Sequence, residues 1–235
     1  MSLPAVLGTD DFRPARRSVS AMSLLRYSAS ISLDGFVAGP DQSPPHPLGV
    51  GGERLHVWLR ELAAWRRDAG MEGGVTNAST AVYEADGEDV GAIIMGRNMF
   101  GGGPGAWDDP PWNGWWGEEP PFHMPVFVLT HHPRPPLECR GGTTFTFVTG
   151  GPEAALDLAR TAAGERDIAV SGGAGVAQQF MRAGLVDELA VHLVPALLGD
   201  GVRLFDGDGI AALGLEQARV VEAPGVTHLT YRSVA

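Results

Sequence analysis

Cysteine is nearly absent from this 235-residue chain, where Cys139 stands alone. A single thiol excludes an intrachain disulfide and a cysteine-built zinc cluster. Positive charge is scarce as well. Seventeen Lys and Arg against 28 Asp and Glu give a formal net charge of −11. No basic face stands out, which argues against a nucleic-acid partner, since phosphate contacts need one. A local basic pocket for one cofactor phosphate remains compatible with that balance. Long apolar runs are missing: none approaches the roughly 18–20 residues that cross a bilayer, and no signal-peptide core opens the chain. The expected setting is the cytoplasm, with no membrane partner. The seven histidines are scattered without His-x-x-x-His spacing, so no metal site is expected.

What is present is ordinary for a packed domain: 44% hydrophobic and 19% charged residues. The length suits one sizeable domain. Residues 1–23 mix Pro, Ser, Asp and Arg without periodicity and read as a flexible N-terminal extension, with Met22 as an alternative start. Residues 24–235 then carry the fold.

Leu24 to Leu33 is a β-like run that ends at the turn signal Asp34-Gly35, and Phe36-Val37-Ala38 resumes an extended pattern. After a Pro/Gly loop, Glu53 to Arg67 predicts one helix, with Leu55, Leu59, Leu62, Trp58 and Trp65 as its apolar stripe. Asn77 or Thr76 caps a further short helix. Buried strands are predicted at Gly91–Met95, Pro125–Thr130 and Thr143–Val148, with a helix over Pro152–Ala163 that has Pro in its first turn. Residues 101–121 are rich in Gly, Pro and Trp and hold four of the six tryptophans. Such a loop is read either as a lid or subunit contact, or as a segment packed on its own aromatics. Strands are also expected at Glu188–Val194 and Val202–Phe205, and an edge hairpin over Gly214–Glu222 and Val226–Arg232. Alternating strands and helices with a β-rich end predict a three-layer α/β domain with a mixed sheet.

Three strand ends share a character: Met95-Gly96-Arg97-Asn98, Leu129-Thr130-His131-His132 and Val170-Ser171-Gly172-Gly173. Ligands of open α/β sheets bind beyond the carboxyl ends of strands. Strand, glycine turn and helix N-terminus within Asp167–Leu189 make an anion site, because the first amides of a helix lack partners and the dipole is positive there. The pattern fits neither G-x-G-x-x-G nor the P-loop, and a purely structural glycine turn is the alternative. Helix amides for a pyrophosphate, with Arg97, Arg134, Thr130 and the imidazoles for an extra phosphate, suit a phosphorylated dinucleotide.

These motifs, with Ser32-Leu33-Asp34-Gly35, Gly184-Leu185-Val186-Asp187-Glu188-Leu189 and Leu198-Gly199-Asp200-Gly201, follow one another in a specific order. That ordered set resembles the C-terminal reductase domain of the bifunctional riboflavin-biosynthesis deaminase/reductases, over about residues 24–232. The resemblance implies a dihydrofolate reductase-like α/β/α fold whose mixed sheet is mostly parallel, with NADPH as hydride donor, a small heterocyclic or carbonyl substrate and a homodimer. It implies that Gly96, Arg97 and Asn98 lie at the adenosine-phosphate end of the cofactor and Thr130 and His131 beside its 2′-phosphate. Ser171, Gly172, Gly173, Ala174, Gly175 and Val176 then form the pyrophosphate-binding helix start, and Asp34 faces the substrate as the candidate catalytic residue. From the residues alone, Asp34 also suits a simple Asp-Gly turn, and Ser171 suits a helix cap. The family usually has glutamate where this chain has Ser171, and the deaminase cysteines are absent, so a diverged substrate is expected. Two function classes stay open: an NADPH-dependent reductase, and a nucleotide- or ligand-binding protein without turnover.

Overall fold

The computed structural model describes residues 23–43, 45–103, 105–207, 210 and 213–234. Apart from Ser23, the expected N-terminal extension and the start at Met22 lie outside the described residues. The elements are β1 (Leu25–Ser32), β2 (Phe36–Ala38), a 3-10 turn (Gly52–His56), α1 (Val57–Arg60), α2 (Ala63–Asp68), α3 (Ala78–Gly87), β3 (Val90–Gly96) and α4 (Arg97–Phe100). They continue with β4 (Pro125–Leu129), β5 (Leu137–Glu138), β6 (Thr144–Val148), α5 (Gly151–Ala163), β7 (Asp167–Val170) and α6 (Ala174–Arg182). The chain closes with β8 (Glu188–Val194), β9 (Val202–Arg203), β10 (Gly214–Ala223) and β11 (Val226–Val234).

Nine strands form one sheet in the order β10-β11-β8-β1-β7-β3-β4-β6-β5. From β8 to β6 all neighbours are parallel. The β10–β11 hairpin and the short β5 add antiparallel edges. The mixed, mostly parallel sheet and the C-terminal hairpin are therefore as the sequence predicts. β3 is buried along its whole length, as a parallel strand covered on both faces must be.

β1 shows how the two faces differ. Leu25, Tyr27 and Ile31 join a core with Leu156 and Ala159 of α5 and Phe180 and Met181 of α6. Burying a side chain such as Phe180 is worth about 1.5–3 kcal/mol. The alternate residues turn the other way: Ser28 bonds Asp86 of α3, and Ser30 accepts from the indole N–H of Trp58. On that second face, Leu55, Trp58 and Leu62 pack on Val194 and Val226. Further along it, Phe100 and the Trp-rich loop cover Met95, Val128, Phe145 and Phe147. The lower end of β1 is pinned by carboxylates, with Asp167 Oδ1 and Asp187 Oδ2 accepting from the amides of Leu24 and Leu25 at 2.9 and 2.7 Å. Among the described residues no helix is long and apolar enough to cross a membrane.

Two expectations need correction, and one element was missed. Glu53–Arg67 is not one helix but a 3-10 turn and two short helices. Its apolar stripe is interrupted because Leu62 is extended (φ −69, ψ 132) and bridges to Val75, whose amide and carbonyl bond Glu61 and Ala63 at 2.8 Å. The predicted strand Val202–Phe205 is only Val202–Arg203 and lies outside the main sheet, paired with β2. Leu204 turns fully into the core instead of continuing the strand. The edge strand β5 was not foreseen, since two residues carry no periodicity. The helix cap at Asn77 is as expected: its side chain accepts from the Ser79 amide at 2.8 Å and Thr80 completes a capping box.

Candidate functional site

β7 is short. Its last residue, Val170, pairs with Tyr27 of β1 and Ile94 of β3, and both neighbours run on, to Ser32 and Gly96. A notch therefore opens beyond Val170. The chain leaves β7 for α6 on one face, whereas β1 and β3 lead to elements on the other, the condition that makes a ligand crevice in open sheets.

Ser171–Gly173 forms the floor of the notch. The Ser171 amide donates to Ile94 O at 2.9 Å and the Gly96 amide to Gly172 O at 2.8 Å, which ties the glycine turn to the end of β3. Gly172 has φ +105, a backbone open to glycine and strained for other residues. The Gly172–Gly173 peptide is cis. A side chain at Gly96 would put its Cβ 2.7 Å from Val176 Cγ2, so glycine lets α6 start hard against β3. Ala174 and Val176 are buried, and their side chains serve packing; the Val176 amide already donates to Gly173 O at 3.0 Å, so the helix start meets the crevice with the backbone before it. The N-cap of α6 is Gly173, with no side-chain cap. This corrects the reading of Ser171 as a cap: two glycines separate it from the helix. A Cβ at Gly173 or Gly175 would meet nothing within 4 Å, so the helix start is open to approach.

The neighbouring strand ends supply cations. Arg97 opens α4, and its Nε and Nη2 donate to the carbonyls of Gly101 and Gly102, each at 3.0 Å. Its Nη1 reaches Thr130 Oγ1 at 3.4 Å, joining the β3 and β4 ends. The guanidinium lies 3.2 Å from the centroid of the Trp107 ring, and that indole donates to His132 O at 2.9 Å. Arg134 approaches the same indole at 4.7 Å and Phe147 at 4.6 Å, while donating to Trp112 O and Asn113 Oδ1. Burial lowers the pKa of both arginines, and for Arg97 the Arg134 charge adds to the effect while Asp108 opposes it. Among the described residues no carboxylate forms an ion pair with either guanidinium. Two adjoining cations, with Asp108 near Arg97 but no carboxylate in ion-pair contact among the described residues, form an anion-seeking surface. Asn98 and His131 are exposed beside it.

The three expected loops thus meet: Gly96 and Arg97, Thr130, and Gly172 to Val176. Asp34 belongs to a different cluster. Its carboxylate accepts from the Gly199 amide at 2.7 Å and the Leu198 amide at 3.1 Å. The Ser32 side chain, followed by these amides, holds its pKa down to about 2. It is an ionised acceptor that ties β1 to the 195–201 loop. Sequence reasoning passed over Trp107, because four closely spaced tryptophans look alike until the fold shows which indole carries the arginines.

A sequence model of the RibD C-terminal domain matches residues 24–229. A riboflavin biosynthesis protein, RibD, from Corynebacterium ammoniagenes is 54% identical over 43 residues, 18% of this chain and 13% of that protein. Among solved structures, one from Shewanella sp. PV-4 described as a riboflavin biosynthesis protein is similar with a TM-score of 0.58 and 21% identity, over 91% of this chain and all (100%) of the other. The deaminase/5-amino-6-(5-phosphoribosylamino)uracil reductase of Thermotoga maritima is similar with a TM-score of 0.53 and 13% identity, over 91% of this chain and 57% of that one. At those identities the two structures establish the fold.

Proposed function

The chain belongs to the RibD C-terminal domain family, and on that footing we propose that it is an NADPH-dependent reductase. It transfers a hydride to a C=N or C=O bond of a small heterocyclic substrate. The observation that carries the reading is the junction of three loops around the uncapped start of α6, with Arg97, Arg134 and Thr130 at its side.

The residues suit a dinucleotide carrying an extra phosphate. The open space at Gly173 and Gly175 lets a pyrophosphate reach the first amides of α6, where unpaired N–H groups and the dipole favour anions. Arg97 and Arg134, supported on Trp107, suit a 2′-phosphate, with Thr130 and exposed His131 as further donors. Ser171 and the glycine turn line the notch where the nicotinamide ring would face the substrate. When bound, the cofactor supplies the hydride. The protein's part is to bind, to orient and to exclude water. Asp34, ionised at neutral pH, orients a substrate N–H or O–H as an acceptor, and the proton that completes the reduction comes from water.

A second reading, ligand binding without turnover, is favoured by one observation: the Asp34 carboxylate is already engaged by two backbone amides. Steady loss of reduced-nicotinamide absorbance with candidate aminopyrimidine or other C=N substrates tests the choice. Turnover supports the reductase; tight NADPH binding with no turnover across the series supports the second reading.

We further propose that the protein works as a homodimer in the cytoplasm. An apolar groove of about 320 Å³, lined by Leu33, Val191, Phe205, Leu215 and Tyr231, lies on the hairpin side of the sheet. It shares no residue with the three loops, and Leu33, Phe205 and Leu215 on its rim are exposed. Two copies meeting there would cover that apolar surface. Light scattering on the Phe205→Asp variant checks this: a shift to monomer is expected, and an unchanged molecular mass would remove the assignment.

A further inference from the structure

A second polar cluster lies away from the crevice, between the sheet and α3, with Ser79 and both its imidazoles buried and Ser28 and Asp86 at its solvent edge. His192 of β8 and His228 of β11 are direct cross-strand partners, both nearly fully buried. Their Nδ1 atoms are 2.8 Å apart. His192 Nε2 faces Asp86 Oδ2 at 3.2 Å and Ser28 Oγ at 2.8 Å, and the Ser28 hydroxyl itself donates to Asp86. His228 Nε2 faces Ser79 Oγ at 2.8 Å. Ser79 lies in the first turn of α3 and Asp86 in its last. One chain of hydrogen bonds, Ser79–His228–His192–Asp86, therefore fastens both ends of α3 to the sheet. Trp58 of α1 closes the cluster from the side, with its ring edge-on to both imidazoles at 5.0 and 4.9 Å.

The geometry limits how many protons this chain can hold. Facing an ionised carboxylate, His192 Nε2 must carry a hydrogen. The two Nδ1 atoms then share one proton. In the neutral pair, His228 Nδ1–H donates to His192, and the Ser79 hydroxyl donates to His228 Nε2. One added proton is accommodated by reversing the chain: His192 becomes the imidazolium against Asp86, its Nδ1–H donates to His228, and His228 Nε2–H donates to Ser79. A second added proton sets two N–H groups head to head at 2.8 Å with no acceptor between them.

We propose that the His192–His228 pair is an acid-operated latch, holding α3 on the sheet with none or one added proton and releasing it when the second arrives. The surrounding charges fit this behaviour. Burial would raise the Asp86 pKa, but the bonds from His192 and Ser28, with Arg26 nearby, bring it below its ordinary range. Burial lowers His228 to about 4, with His192 and Arg219 of β10 adding to the effect and Asp86 opposing it. His56, in the turn before α1, is lowered by burial and by Arg60, against a rise from Glu53. A histidine whose folded pKa is depressed binds fewer protons than the unfolded chain. Stability is therefore fully present above about 6.5 and is lost as pH falls from there through about 4.

Amide hydrogen exchange on the whole chain, stepped from about pH 7.5 to about pH 4, tests the latch. The expected result is that α3 loses protection while β3, β4 and α5 keep theirs, its opening constant rising by up to about tenfold per pH unit in the acid window. Simultaneous loss across α3 and the sheet, or full retention in α3, would overturn it. Two variants should move the transition in opposite directions. Asp86→Asn removes the counter-ion and raises the pH of opening, whereas His228→Gln removes one titrating ring and lowers it. Shifts in the same direction overturn the proposal, and if neither variant folds, the exchange profile of the unaltered protein decides.

Discussion

The guanidinium of Arg97 lies 3.2 Å from the centroid of the Trp107 ring. Through this one stack the turn after β3 holds the long Trp-rich loop in place, since the same side chain also bonds the carbonyls of Gly101 and Gly102. The loop and the cationic side of the crevice are therefore one unit, and whatever loosens the loop also displaces the cations.

Arg97→Ala should consequently do two things. Losing the stack and a net hydrogen bond or two should cost about 1–2 kcal/mol of stability, read by chemical denaturation. NADPH affinity should fall much more than NADH affinity, by roughly tenfold or more, because a charge-assisted phosphate contact is lost. Equal losses for the two cofactors would detach Arg97 from the 2′-phosphate.

Gly175→Asp separates binding from folding. A carboxylate in the first turn of α6 suits the helix dipole, and replacing glycine favours the helix, so stability should hold or rise by about 0.3–1 kcal/mol. The same charge opposes a pyrophosphate at the helix start. Calorimetry should show NADPH and NADH both weakened at least about tenfold. Undiminished binding by a folded variant would make the glycine turn structural only.

Asp34→Asn tests the tie between β1 and the 195–201 loop. The carboxylate pKa is depressed from 3.8 to about 2. Its stabilising effect is therefore complete above about 3.8 and disappears as pH falls through about 2. Thermal unfolding should show the variant less stable than the parent at neutral pH, with the gap closing near pH 2. A gap that persists undiminished at that acidity would mean that charge is not what the loop uses.

Asn77→Ala should cost about 1 kcal/mol, the usual loss for a helix N-cap, measured by denaturant unfolding. An unaltered midpoint would show α3 held by its contacts to the sheet alone.

Much of this was legible in the sequence, for identifiable reasons. β3, β4, β8 and the hairpin announce themselves as apolar runs bounded by turn residues. The loops at Gly96, Thr130 and Gly172 fall at strand ends because glycine, hydroxyl and cation follow the buried runs directly. The break at Leu62 was hidden, because its cause is a bridge to Val75, thirteen residues on in the sequence and without local trace. Ser171 looked like a cap because Ser before a helix often is one, and only the backbone shows that Gly173 takes the position. The His192–His228 pair could not be read at all, since it depends on the register of β8 against β11.

The measurement that bears most directly on the central claim is calorimetric titration of the purified protein with NADPH and, separately, NADH. The account predicts saturable one-site binding with NADPH clearly preferred, weakened by Arg97→Ala toward the NADH value. No binding of either cofactor by the folded protein would contradict the reductase reading and leave the crevice to another ligand.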